Sequence, residues 1–469
     1  MRPDGAALIR RGPSVVLVAS VVALLATACG SSSVSPSVVA SASAAPVSAS
    51  ATPQATPDEL AVEPAPGSDS AVYAPNPGAI VVAIDPGHGG CLDWGVPDPS
   101  ERGVELAEKT LVLGIAERLR ERLEADGIGV VMLREGDEAL AGDLEPDYGC
   151  EGPPWRDVDG DGNAGFEETG RIRTRDELQA RIDRANLAGA DAFLSIHINS
   201  LTENGVVFEI AATQTFYDDE TPWGADASAS LADAVQREVV SAMEPLADHE
   251  RQDRGTEAVA YYAISRTWAD SDTCETPGDT WCKPHRGLAM PGVLAEVGSI
   301  TSREDHDLLA SPAGQEAVAD GLFAGLVTWI GDRGLAARVA LADAPVAATP
   351  EPIGGDGPPF WAAELDGGMG VVLRVTNTGT EPMKSGAQLL AGWAPSDLPY
   401  LAGPPPDLMP IGPSLPELAP GESVVVSVDL PPAPAGGRAL AWISLLVDGE
   451  AVADRGSPAL QLAIDISGP

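Results

Sequence analysis

The apolar residues of this chain fall into two alternating patterns. Residues 79–84 are an unbroken apolar run, as expected of a strand covered on both faces. From Glu108 to Ala125 the period changes. Leu111, Ile115, Leu119 and Leu123 form one helical stripe, and Gly127 follows as a stop. Residues 129–133 then read as a strand, 178–188 as a helix and 192–196 as a strand. A helix over 228–243, strands over 259–264 and 292–297, and a closing helix over 313–330 complete the series. Strands alternating with helices predict an α/β unit over 79–335: a mixed, mostly parallel sheet flanked by helices. Sites in such sheets lie beyond the carboxyl ends of the strands.

The pattern changes after residue 335. Residues 336–358 are rich in Ala, Pro and Gly and read as a linker. Short alternating runs at 371–375, 422–428 and 440–447 predict a small Ig-like β-sandwich over 359–469, with Trp361 and Trp393 in its core. At the other end, Arg2, Arg10 and Arg11 precede an apolar run over 15–25, then Ala26-Thr27-Ala28-Cys29. Residues 1–29 read as an export signal, with an apolar run too short for a comfortable membrane span. A cysteine directly after small residues resembles a bacterial lipoprotein processing site. That implies a lipid on Cys29 and a place in the cell envelope, on the outer face of the cytoplasmic membrane; with ordinary signal cleavage instead, the protein is otherwise extracellular. Residues 30–78 are mainly Ser, Ala, Pro, Val and Thr. They cannot bury enough apolar area to offset chain entropy and are expected to form a disordered tether.

Charge narrows the partners. Seventy acidic side chains against 28 basic ones leave a formal net charge of −42, which excludes nucleic acid as an electrostatic partner. An exported chain with Cys91, Cys150, Cys274 and Cys282 in addition to Cys29 is expected to form two disulfides. Cys274 and Cys282 flank a turn-rich loop and are the favoured pair, with Cys91–Cys150 the other. No C-x-x-C spacing supports a four-cysteine zinc site.

The chain has only five histidines, and two close apolar runs: His88 in Ile84-Asp85-Pro86-Gly87-His88-Gly89-Gly90, and His197 in Ser195-Ile196-His197-Ile198-Asn199. Glu108 opens a helix, so its carboxylate can point back over the sheet end. Glu105 is the competing carboxylate. Two imidazoles and a carboxylate suit a catalytic zinc, which keeps a fourth position for water. Glu296 lies within an apolar strand, where a carboxylate needs a partner or a task.

These segments, with Glu108-Lys109, Leu133-Arg134, Ala180-Arg181, Ala185-Asn186 and Leu294-Ala295-Glu296-Val297-Gly298, occur in a recognisable order. The chain resembles the zinc-dependent N-acetylmuramoyl-L-alanine amidases of the amidase-3 type over about 250 residues. The resemblance implies zinc on His88, Glu108 and His197, and Glu296 as the catalytic glutamate. It also implies peptidoglycan as substrate, cut at the amide between N-acetylmuramic acid and the L-alanine of the stem peptide. Arg134, Arg181 and Asn199 match family positions and read as structural. His249, His285 and His306 read as ordinary polar-loop histidines. Ser299 replaces the family's aromatic residue, and Thr301-Ser302 stands near its asparagine, so the substrate groove differs. The alternatives are a wall-binding protein without catalysis and a zinc peptidase acting on stem-peptide bonds.

A second motif is independent of the first. Residues 157–168, Asp-Val-Asp-Gly-Asp-Gly-Asn-Ala-Gly-Phe-Glu-Glu, fit the EF-hand-like loop pattern. Asp157, Asp159, Asp161, Asn163 and Glu168 supply the oxygens for Ca2+, and Gly162 permits the turn. Pro153-Pro154 rules out a regular helix before it, so the loop is a lone structural insertion. Calcium should raise the melting temperature of the Gly78–Leu335 unit, with Kd on the order of 10⁻⁴–10⁻³ M for an extracellular loop. The shift should vanish in the Asp157→Ala/Glu168→Ala double variant. A wild type that calcium leaves unshifted up to millimolar levels has only an acidic turn here.

Overall fold

The computed structural model describes residues 62–63, 80–90, 93–96, 103–141, 158, 175–203, 206–219, 224–259, 261–265, 287–342, 348–352, 359–363, 369–395, 405, 407–434 and 437–466. Cys29, Cys91, Cys150, Cys274, Cys282, His285 and the calcium-loop residues Asp157, Asp159, Asp161, Asn163 and Glu168 lie outside them. Within that loop only Val158 is described. It is buried, and its N–H donates to Asp176 Oδ1 at 2.7 Å.

The first unit is built from β1 (Val81–Pro86), α1 (Glu108–Ala125), β2 (Gly129–Met132), α2 (Arg175–Leu187), β3 (Ala192–Asn199), β4 (Ala211–Tyr217), α3 (Ala225–Met243), β5 (Arg251–Ala258), β6 (Gly292–Ser299), α4 (Arg303–Ala310) and α5 (Pro312–Asp332). Its strands run in the order β2-β1-β3-β6-β4-β5, all parallel to their neighbours except the antiparallel β4–β6 pair. The sheet is therefore the mixed, mostly parallel one that the pattern predicts.

Alternation within each central strand feeds two cores. Val82 and Ile84 of β1, Leu194 and Ile196 of β3 and Ala295 and Val297 of β6 pack against α1, α3 and α5. Val81, Ala83, Phe193 and Leu294 point the other way, onto a core that includes Ala180, Ile182 and Ala185 of α2. Both faces are covered, so these strands are apolar throughout. Each fully buried Leu, Ile or Val contributes about 1.5–3 kcal/mol.

Several expectations need correction. Of the expected strand at 259–264, residues 261–264 form a turn folded into the second core, and the strand is the preceding Arg251–Ala258. That strand is a sheet edge with mostly solvated side chains, so it carries no apolar signature. Strand β4 and helix α4 add to the expected elements; in β4, buried Thr213, Gln214 and Thr215 interrupt the apolar pattern. His306 is not in a polar loop. It is buried on α4, with Nε2 3.2 Å from the Leu106 carbonyl.

The C-terminal part is a two-sheet β unit. One sheet contains β7 (Ala337–Leu341), β10 (Gly370–Asn377) and β13 (Ser423–Asp429) in the order β13-β10-β7. The other contains β8 (Ala348–Pro352), β9 (Pro359–Ala363), β11 (Gln388–Pro395), β12 (Met409–Ile411), β14 (Gly437–Val447) and β15 (Leu460–Ile466), in the order β8-β9-β15-β14-β11-β12. Their inner faces share one core. Trp393 packs against it and donates from Nε1 to the Pro431 carbonyl at 2.8 Å. The expected linker at 336–358 is thus wrong at its start and within its length: β7 pairs along its whole length with β10, and β8 pairs with β9. Within the expected tether, Val62 and Glu63 pair with Val424 and Ser423 on the outer side of β13. No helix among the described residues is long and apolar enough to cross a membrane.

The two units meet at the amino-terminal end of the first sheet. Asp191, fully buried, accepts from Val81 N–H at 2.9 Å and from Arg338 Nη1 of β7 at 2.9 Å, and Arg333 Nη1 lies 3.4 Å away. Asp191→Ala would remove the carboxylate that two buried guanidiniums and the Val81 N–H face. It should cost about 3–5 kcal/mol, read as a lower urea midpoint for the full chain. A loss under about 1 kcal/mol would mean that water reaches these charges.

Candidate active site

Strand β1 ends in a turn that the backbone does not favour. His88 adopts φ of 62°, a left-handed conformation uncommon outside glycine, and Gly89 and Gly90 follow at positive φ. Such a residue stores about 1–3 kcal/mol and needs to be held. Two buried arginines hold it. Arg134 donates from Nε to Pro86 O at 2.9 Å and from Nη2 to Gly87 O at 3.0 Å. Arg181 donates from Nη2 to His88 O at 2.5 Å and from Nη1 to Pro86 O at 2.9 Å. Arg181 also pairs with Asp85, which accepts from Ser195 Oγ at 2.7 Å. Burial opposes the Asp85 charge, but Arg181 and Ser195 outweigh it and keep the carboxyl below its ordinary range.

The turn aims His88 at Glu108 and His197. His88 Nε2 lies 3.2 Å from Glu108 Oε1 and 3.1 Å from His197 Nδ1, and His197 Nδ1 lies 3.3 Å from the same Oε1. One donor atom from each of the three falls within 4.8 Å of the others. Glu108 is the first residue of α1. Its Oε1 accepts from Ile198 N–H and its Oε2 from Val96 N–H, each at 2.9 Å, so the carboxylate cannot swing away. Glu105 sits exposed on the short turn Val104–Leu106 and does not join the cluster.

The sequence did not reveal Asp93. Its Oδ1 lies 2.7 Å from His88 Nδ1, which turns Nε2 toward the other two donors. The available signal was an acidic residue five positions after His88 in a glycine-flanked turn. The chain crosses so close here that a Cβ on Gly95 would collide with Glu108 Oε2 and His88 Cδ2. Next to it Trp94, partly exposed, lies over the buried Lys109 ammonium, with 4.8 Å between Nζ and the ring centre.

The cluster is arranged for positive charge. Burial raises the Glu108 pKa, but His88 and His197 overcome this and hold the carboxyl well below its usual range. Burial likewise works against charged His88, yet Glu108 and Asp93 lift its pKa well above that of a free imidazole.

Glu296 is the register partner of His197 across the β3–β6 pair, on the same side of the sheet. Its Oε2 is shielded from solvent and has no hydrogen-bond partner. Burial, and next the Glu108 carboxylate, push its pKa well above the ordinary range. An unpaired buried carboxylate oxygen is destabilising, so its retention points to a ligand or a reaction. Asn199 ends β3, where its carbonyl accepts from Ile300 N–H at 2.8 Å. Ser299 Oγ pairs with Thr301 Oγ1 at 3.0 Å, so the two residues that depart from the family pattern bond to each other.

Residues 82–328, just over half of the chain, match the family described as N-acetylmuramoyl-L-alanine amidase. The chain belongs to that family. It is a peptidoglycan hydrolase that cleaves the amide between N-acetylmuramic acid and L-alanine, which places its action in the cell envelope or outside the cell. Enzymes of this family are zinc-dependent, and His88, Glu108 and His197 form a possible metal site. The germination-specific N-acetylmuramoyl-L-alanine amidase of Bacillus subtilis (strain 168) is 24% identical over 255 residues, 54% of this chain and 81% of that protein. The amidase LytC of the same organism is 26% identical over 251 residues, 53% of this chain and 35% of its own length. The solved N-acetylmuramoyl-L-alanine amidase of Clostridium difficile 630 aligns over 55% of this chain and 100% of its own, at 23% identity and TM-score 0.37.

Proposed function

We propose that this amidase holds a catalytic zinc on His88 Nε2, Glu108 Oε1 and His197 Nδ1, and that Glu296 carries the proton of the reaction. The donor set fits the metal: two imidazole nitrogens and one carboxylate oxygen converge, and Asp93 orients one imidazole from behind. Zinc bound there supplies an acidified water and polarises the scissile carbonyl. Glu296 takes the proton from the attacking water and passes it to the leaving L-alanine nitrogen. Its raised pKa suits both halves of that exchange. The observation that carries this reading is the shielded, unpartnered Glu296 Oε2 beside the convergent donors.

The remaining assignments extend the same reading. Cys29 bears the lipid anchor, and a diacylglycerol thioether on the mature N-terminus, read by mass spectrometry, tests it. Residues 157–168 bind Ca2+, which the thermal shift described above tests. Cys91, Cys150, Cys274 and Cys282 form disulfides, which mass mapping of non-reduced peptides tests. The C-terminal sandwich is an Ig-like module.

The experiment for the site is a digest of peptidoglycan by the zinc-loaded full chain, with products identified by mass. Free stem peptides beginning at L-alanine are expected. Glu296→Gln should keep its zinc and lose activity by about a hundredfold or more, because an amide cannot accept the proton. Cleavage inside the stem peptide would instead support the peptidase alternative. Binding of wall fragments with no cleavage would support the non-catalytic one.

A further inference from the structure

Strand β6 loses regular pairing immediately after Glu296. On one side, the β4 register runs from Tyr217 opposite Val293 to Gln214 opposite Glu296 and stops there. On the other side, the β3 register shifts between His197 and Asn199. Side chains then take over from the ladder. The Val297 carbonyl accepts from Arg251 Nη2 at 3.1 Å and from Thr213 Oγ1 at 3.3 Å. The Ser299 N–H donates to Asp305 Oδ2 at 2.7 Å. Arg251 Nε donates to Asp305 Oδ1 at 2.7 Å, which closes a bracket around Val297, Gly298 and Ser299. Gly298 fits the bracket tightly: an added Cβ would lie 2.6 Å from Leu309 Cδ1 and 2.8 Å from Asp305 Oδ2.

The pair is deeply buried, with side-chain exposures of 9% for Arg251 and 0% for Asp305. A buried ion pair is a poor way to gain stability, since apolar residues of the same volume often do as well. It is a good way to fix direction, because a guanidinium and a carboxylate impose geometry on every group they bond. Direction matters at this point in the strand. Misplacing a reacting group by about 1 Å can cost on the order of a hundredfold in rate. The Glu296 Oε2 atom has no hydrogen bond of its own to hold it.

We propose that Arg251 and Asp305 are positioning residues for Glu296. They fix the backbone at Val297 and Ser299, one and three residues after Glu296, and so aim its carboxylate. The proposal rests on Glu296 as the proton carrier.

The test uses the zinc-loaded full chain and the variants Arg251→Gln, Arg251→Lys and Asp305→Asn. Arg251→Gln and Asp305→Asn are also combined with Glu296→Gln. Four readouts are needed: kcat and KM on a soluble muropeptide, bound zinc, melting temperature, and hydrogen exchange at the Ser299 amide. In Arg251→Gln and Asp305→Asn, kcat should fall by about 10- to 100-fold, with KM and zinc content unchanged and faster exchange at Ser299. Arg251→Lys, which keeps the charge, should recover part of the loss. Neither Arg251→Gln nor Asp305→Asn should lower kcat further in the Glu296→Gln background. Asp305→Asn keeps the shape of the side chain but removes the charge that Arg251 and the Ser299 N–H bond to, so it remains informative where Arg251→Gln unfolds.

Unchanged kcat overturns the proposal. So does an equal loss in the Glu296→Gln background, or a loss that follows zinc content. If Glu296→Gln keeps the wild-type kcat, the reading of Glu296 fails by itself. Exchange at Ser299 then decides whether the bracket exists, and unaltered exchange in Asp305→Asn rejects it.

Discussion

Arg181 reaches from α2 into the end of the sheet, where its guanidinium meets Asp85 and the carbonyls of Pro86 and His88. Both charged side chains are about 1% exposed. Burial works against the Arg181 charge, but Asp85 and Glu177 overcome it and raise its pKa further. Removing one partner of such a pair typically costs about 3–5 kcal/mol, because the other charge stays buried. The left-handed backbone of His88 therefore follows from charge pairing inside the sheet. So does the direction of its imidazole, which Asp93 then completes.

This arrangement explains which parts of the protein were legible in the sequence. The strands that carry His197 and Glu296, and the one that leads into His88, are buried on both faces and read as apolar runs. Helix α1 reads by its leucine stripe, which places Glu108 on its first turn. Those features are local, so periodicity finds them. Strand β5 is an edge and has no buried face to report. Strand β4 is central but fills its interior with hydrogen-bonded Thr213, Gln214 and Thr215, which look polar in a sequence window. Strand β7 was hidden for another reason. Its neighbours are rich in Ala and Pro, and its pairing partner, β10, begins some thirty residues later.

The site followed the same division. The three donor residues were legible because their types and contexts are unusual. Asp93, Arg251 and Asp305 were not, because their importance lies in what they touch. Asp305 is an ordinary first-turn acid on a short helix until its contacts with Ser299 and Arg251 are seen. The molecule also separates its tasks by position. The donors and Glu296 gather at the carboxyl end of the sheet. Asp191 meets Arg338 of the β-sandwich at the opposite end.

The central claim is that this cluster is a zinc centre with nitrogen and oxygen donors only. X-ray absorption at the zinc edge of the loaded full chain tests it most directly. The account predicts a first shell of nitrogen and oxygen, with multiple scattering from two imidazoles. It also predicts that the signal from one imidazole disappears in His197→Ala. A sulfur scatterer in the first shell, or a spectrum that His197→Ala leaves unchanged, would place the metal elsewhere and contradict the account.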